Sequence, residues 1–345
     1  MKEDRMDNPR FLPKGAISVD VSYDGPPKAF YFLLLPNTTM LAFSAAIEPL
    51  RISNQLSRKQ LFEWYVLSTD GEPVTCSNGI RVQADHSVHD LEKGAFVFVC
   101  SGTQPMRSFN TNVLNWIRRQ KAHGCEFGGI CTGAFALAKA GVIGTRNFTV
   151  HWENRPGFCE NFPTMEPTQN LYEIDGKLRT CGGGHASTDM MLEVIEELFG
   201  NALANNVSEM CLHRRLGEGG SKQVSPVSAL LGTRNAKLIE AVQIMRENIE
   251  TQLSLEAIAD QASLSRRHME RLFRQHTNMS PGRFYNELRL DRAFALLNET
   301  NLSVSEIAFA SGFSSTDRLS VHFRNRFRIS PHNFRRSWSE ETHPE

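Results

Sequence analysis

One segment of this chain occurs twice. Leu255-Glu256-Ala257-Ile258-Ala259 is followed by a turn, by the stretch Ser265 to Gln275, and by Ser280-Pro281. About fifty residues later the order returns as Val304-Ser305-Glu306-Ile307-Ala308, a turn at Gly312-Phe313, Ser314 to Arg326, and Ser330-Pro331. Each unit reads as a helix, a short turn and a second helix, with a buried Ile-Ala pair and a buried Phe, Phe273 or Phe323. A long helix from Arg283 to about Leu297 is expected between them. This restricts the C-terminal third to an all-α architecture.

The repeat lies in a basic block. Over 345 residues the net charge is zero, but from Ser265 to Arg336 there are 13 basic residues, all Arg, against 6 acidic. Arg forks onto phosphates and guanine edges, so an Arg-only block points to nucleic acid. The repeated layout is that of a helix-turn-helix, whose second helix enters the major groove. The first such helix offers Arg266, Arg267, His268, Glu270, Arg271 and Arg274. The second offers Ser315, Thr316, Asp317, Arg318, His322 and Arg324. The long connecting helix would hold the two about one DNA turn apart. A plain six- or seven-helix bundle with an Arg-rich surface is the alternative, and two copies in register argue against it.

Upstream the texture differs. Phe30 to Leu35 is a continuous apolar run, as in a strand buried on both faces of a parallel sheet. Pro36-Asn37 ends it, and Thr38 or Thr39 is placed to cap a helix from Met40 to about Gln55. Strands are expected at Trp64–Ser68, Phe96–Cys100 and Glu126–Ile130, and helices near 108–123, 186–199 and 202–215. This alternation predicts an α/β open sandwich. Residues 1–27 read as a loose leader, 28–216 as the α/β domain, 217–234 as a breaker-rich linker, 235–338 as the helical domain and 339–345 as a tail. No run approaches the length of a membrane span. Seven dispersed cysteines without CxxC pairs fit reduced thiols in the cytoplasm, and neither a metal nor a cofactor is expected.

Gly129-Ile130-Cys131-Thr132-Gly133 joins a strand to a helix as Gly-x-Cys-x-Gly, the layout of a nucleophile elbow. The helix N-terminus behind it would favour a thiolate, with His151 as the candidate base. In the bland alternative the glycines serve close packing and Cys131 is a small buried filler.

Residues Leu238 to Arg336, with Leu288-Arg289-Leu290, Ile307-Ala308, Gly312-Phe313 and Ser330-Pro331, resemble the AraC/XylS transcription regulators. The family usually has Gly where Asn278 and Arg328 stand. Asn tolerates a left-handed conformation, whereas Arg there costs about 1 kcal/mol. Val321 occupies the place matching Arg271, where the family often has Arg. Residues 28–215 resemble the DJ-1/PfpI class of the glutamine-amidotransferase-like, flavodoxin-like fold. Enzymes of that class often place His after the elbow Cys and an acid after the first strand. Here Thr132 follows the Cys, and the nearest acid is Glu48. Met40-Leu41-Ala42-Phe43, Glu48-Pro49-Leu50-Arg51, Val150-His151-Trp152-Glu153-Asn154 and Gly183-Gly184 further resemble the regulators of glycine betaine, carnitine and arginine catabolism.

The resemblance implies a transcription regulator, most simply an activator, that is not an enzyme. Promoter DNA, RNA polymerase and a second copy of the chain are its implied partners. Glu48, Cys131, Thr132, His151, Trp152 and Glu153 are the candidate ligand residues, because a Trp face beside carboxylates suits a quaternary ammonium or guanidinium. In the bland alternative Trp152 is core and His151 caps a loop. A Cys-dependent amidase or hydrolase with a DNA-targeting tail is the competing class, and the missing partners count against it.

Overall fold

The computed structural model describes residues 17–215, 222–223, 231, 233 and 235–340. Most of the expected linker, the first sixteen residues of the expected leader and residues 341–345 of the expected tail lie outside that range. The chain divides into two compact units, Met1–Arg155 with Phe162–Gln223, and Pro156–Asn161 with Val224–Glu345.

The first unit is built on β1 (Lys28–Leu34), β2 (Phe62–Ser68), the short β3 (Val74–Thr75), β4 (Arg81–Val82) and β5 (His86–Ser87), then β6 (Phe96–Ser101), β7 (Glu126–Cys131), β8 (Tyr172–Asp175) and β9 (Leu178–Cys181). Its main sheet runs β5-β2-β1-β6-β7-β9-β8 and is parallel except for the β8–β9 pair. Helices α1 (Met40–Ser57), α2 (Thr111–His123), α3 (Ala134–Lys139), α5 (Ala186–Phe199) and α6 (Asn201–Met210) belong to it, while α4 (Arg155–Asn161), between α3 and α5 in the chain, falls almost wholly in the second unit. Side chains alternate across a strand. Phe30, Phe32 and Leu34 therefore share one face of β1, where they join a core with Phe43 and Leu50 of α1, Met190 and Val194 of α5, and Leu203 of α6.

Two expectations need correction. Residues 19–23 are not loose: Val19 N–H donates to Leu56 O at 2.8 Å, Val21 is buried, and the Tyr23 ring meets Phe199 edge-on. Thr39 occupies the N-cap of α1, but its side chain makes no capping bond. Thr38 is equally unavailable, because its buried hydroxyl lies 2.6 Å from Leu35 O and 2.8 Å from Cys100 O.

The second unit contains α7 (Ala236–Glu247), α8 (Leu255–Gln261), α9 (Arg266–Thr277), α10 (Pro281–Glu299), α11 (Val304–Ala310), α12 (Thr316–Phe327) and α13 (Pro331–Glu340). Serines start most of them. Ser254, Ser265, Ser280, Ser303 and Ser315 each accept the backbone N–H three residues on, and Glu306 completes a capping box with Ser303. Both α9 and α12 end in a left-handed residue, Asn278 at φ 54° and Arg328 at φ 63°. The middle helix serves two cores. Phe284, Tyr285 and Leu288 pack with α7–α9, whereas Leu290, Ala293, Leu296 and Leu297 pack with Ile307, Phe313, Leu319 and Phe323. Arg289 stacks over Tyr285 and Phe313 at 5.6 and 5.2 Å.

Candidate nucleic-acid interface and elbow site

At the C-terminal edge of the sheet, β1 and β6 lie side by side, with β2 beyond one and β7 beyond the other. Ligands of open α/β sheets bind at such a switch point. Cys131, in register with Ser101, sits on that edge. Its φ of 59° places a non-glycine residue in the left-handed region, the strain an elbow requires. A side chain at Gly133 would put Cβ 1.9 Å from Val99 O, so only glycine allows α3 to begin this close to β6.

The elbow is poor in chemistry. Cys131 is buried, and burial pushes its thiol up to about 12, against the weaker opposing effect of Thr39. Its Sγ is 3.8 Å from Thr39 Oγ1. Thr132 is buried and donates its hydroxyl to Gly102 O at 2.7 Å. Nearer the surface, His151 accepts the Glu153 N–H on Nδ1 at 3.4 Å, and burial holds its pKa below the usual histidine range. Trp152 is 42% exposed, with its ring 5.3 Å from that of His151.

In the second unit α9 and α12 carry equivalent positions fifty residues apart, from the caps Ser265 and Ser315 to the left-handed Asn278 and Arg328. Their preceding helices are offset by forty-nine, and Ser314 supplies the extra residue in the second turn. A concavity of about 690 Å³ is lined by Ser265, Arg267, His268, Glu270, Arg271, Arg274, Ser280 and Pro281. Among the described residues Arg267, Arg271, Arg274, Arg318 and Arg324 have no carboxylate at ion-pair distance. A second concavity, about 720 Å³, includes Arg283, Asn286, His322, Asn325 and Arg326.

Residues 258–337 match the helix-turn-helix domain family, and residues 43–197 match the DJ-1/PfpI family. The HTH-type transcriptional regulator CdhR of Pseudomonas aeruginosa is 40% identical over 302 residues, covering 88% of this chain and 90% of that protein. The chain belongs to the AraC-type transcriptional regulators with a DJ-1/PfpI domain. GbdR of the same organism, also named an HTH-type transcriptional regulator, is 37% identical over 305 residues, covering 88% of this chain and 83% of GbdR. A ThiJ/PfpI family protein from Pseudomonas syringae shares the fold, with a TM-score of 0.51 and 18% identity over 70% of this chain and 95% of that one.

The regulator redistributes several expected site residues. Arg266 pairs with both Glu256 and Glu270, which removes Arg266 and Glu270 from the unpaired set. The Ser315 hydroxyl is occupied in capping α12, and Thr316 lies in the first turn behind it. His322 contacts Asn286 at 3.4 Å. Glu48 lies about 12 Å along α1 from Met40 at 1.5 Å per residue, and its carboxylate is paired with Arg51 at 2.7 Å. The thiolate expected at Cys131 is opposed by burial, and the short α3 does not offset it. Thr132 has no proton left for a carboxylate. Trp152 is not core, contrary to the bland alternative, whereas His151 does cap the turn Trp152–Asn154.

Gln223 was missed entirely, since it falls in the stretch read as linker. Its N–H donates to Gln169 O at 2.7 Å, and Lys222 bridges Asn170. Its Oε1 accepts the Trp152 N–H at 2.8 Å, and its Nε2 lies within 3.0 Å of Thr149 Oγ1, Val150 O and Asn170 O. An isolated Gln after a Gly-rich run has no periodicity to reveal it. Gln223→Ala is expected to destabilise the first unit by about 1–3 kcal/mol, because these groups lose their partner. Hydrogen exchange checks it: the Trp152 amide should exchange markedly faster, and unchanged protection would contradict the assignment.

Proposed function

We propose that the regulator activates transcription in response to a small cationic or zwitterionic nitrogen compound, without turning it over. In this reading α9 and α12 are the DNA-reading helices and Arg267, Arg271, Arg274, Arg318 and Arg324 are their main basic contacts. The observation that carries it is the fifty-residue register of two capped helices, on which these five arginines have no carboxylate at ion-pair distance among the described residues, whereas Arg266 and Arg326 are paired. Thr316, His322 and, on the first helix, the Arg266–Glu270 pair line the same surfaces as orienting residues.

The ligand reading rests on the loop His151-Trp152-Glu153 beside Cys131. A half-exposed indole offers a π face worth about 0.5–2 kcal/mol to a cation, and Glu153 balances its charge. Glycine betaine, dimethylglycine, carnitine and arginine are the candidates. Gln223, bonded to the Trp152 amide, is the last residue of the first unit. A thiol near 12 and a locked Thr132 hydroxyl speak against nucleophilic catalysis. A homodimer acting with RNA polymerase in the cytoplasm completes the reading.

The test uses the full chain in calorimetry and promoter binding. Trp152→Leu is expected to abolish betaine binding, whereas Glu153→Gln should weaken arginine more, since a guanidinium needs a bidentate carboxylate. Arg271→Ala should weaken promoter binding by about 1–3 kcal/mol, and Arg324→Ala should weaken all sequences evenly with a flatter salt slope. Cys131→Ser should retain the response. Clear binding of only an uncharged or anionic metabolite would refute the ligand class. A hydrolase rate in wild type that vanishes in Cys131→Ser would establish the enzyme instead.

A further inference from the structure

We propose that Val321 is a specificity-determining residue, seating a thymine C5-methyl group when α12 lies in the major groove. The inference rests on the reading of α9 and α12 as DNA-reading helices and names what one of them reads.

Position decides the argument first. Val321 stands fifty residues after Arg271, in the helix whose cap and left-handed end match those of α9. On α12 the inward face is occupied by the buried Leu319 and Phe323. Residues three and four apart share a helix face. Val321 therefore sits between Asp317 and Arg318 on one side and Arg324 and Asn325 on the other, all of them exposed. It is itself 58% exposed, one of few large apolar side chains so open.

Its chemistry decides the rest. A β-branched residue is a mediocre helix former, so an exposed mid-helix Val carries a conformational cost. Among the described residues that cost is not offset by burial, because the side chain points out of the unit. In the major groove only thymine presents a methyl group, and apolar side chains recognise it by contact. Val neither donates nor accepts a hydrogen bond, so it cannot replace what Arg271 does for a guanine or a phosphate. The two helices thus differ in kind at equivalent positions. The first relies on charge and hydrogen bonds, the second on one apolar contact flanked by Arg318 and Arg324.

Deoxyuridine differs from thymidine only by the missing methyl, which makes a direct test. Each thymine of a promoter duplex is replaced singly by deoxyuridine, and the affinity of the full chain is measured by fluorescence anisotropy. One thymine per α12 subsite is expected to weaken wild type about fourfold, the ~0.8 kcal/mol of one buried carbon group at 1.4 kcal/mol per decade. In Val321→Ala that loss should shrink toward onefold. Val321→Arg should ignore the substitution and steepen the salt dependence by about one phosphate contact. Equal losses in wild type and Val321→Ala at every thymine, with Arg271→Ala still weakening binding, would overturn the proposal alone. Absence of salt-dependent promoter binding by the wild-type chain would take down the DNA-reading assignment and this proposal together.

Discussion

Phe323→Ala is expected to cost about 3–5 kcal/mol and to abolish promoter binding. Phe323 is fully buried in the second helix-turn-helix, with its ring 4.4 Å from that of Phe327, 5.9 Å from Phe334 and 6.4 Å from Phe294. That core is small: nine buried side chains among the described residues, with Phe323 among the largest. Removing one ring leaves a cavity, and the lost contacts add to the lost transfer free energy. A domain of about a hundred residues has only some 5–15 kcal/mol in total, so much of its stability disappears with this ring. Urea unfolding of the full chain, followed by circular dichroism, checks the claim. The helical unit's transition should move to lower urea while that of the α/β unit stays in place. A loss under 1 kcal/mol would mean the second core is not organised around this residue.

Gly133→Ala is expected to destabilise the α/β unit by about 3 kcal/mol or more, the upper end of overpacking. The added carbon would lie 1.9 Å from Val99 O and 3.0 Å from Ile130 N. Both are backbone atoms of central strands and cannot rotate away, so α3 must shift outward and carry the Cys131 turn with it. Gly133 has an ordinary φ of −57°, which leaves the clash as the whole effect. Gly141→Ala is the control: its φ is 73° and nothing lies within 4 Å of the added carbon, so it should cost only about 1 kcal/mol. Near-equal costs for the two variants would exclude a steric role for Gly133. Ligand binding should fail in Gly133→Ala and persist in Gly141→Ala.

Much of this arrangement is written locally. The serine caps of α8 to α12 act on amides three residues away, and the left-handed ends at Asn278 and Arg328 concern one residue's φ. The elbow is a five-residue turn, and the apolar run that forms β1 is contiguous. Such features depend on neighbours in the chain, so the repeat, the two fold classes and the place of Cys131 were all legible in the residues. Edges were less so: the strands reach one or two residues beyond the expected spans, since pairing partners extend them.

What tertiary structure alone decided is the chemistry of the side chains. The Cys131 thiol is suppressed because the fold buries it, with Thr39 and the Gly183 turn beside it, a solvation effect that no spacing encodes. Thr132 is consumed by Gly102, Arg266 by Glu256, and the Trp152 amide by Gln223, seventy-one residues downstream. Along α10 the buried face changes midway, because two separate cores claim successive stretches of one helix. Local backbone preferences act over three or four residues and so follow from the sequence by itself. Burial, and the hydrogen bonds that burial makes compulsory, depend on which distant segments the fold brings together.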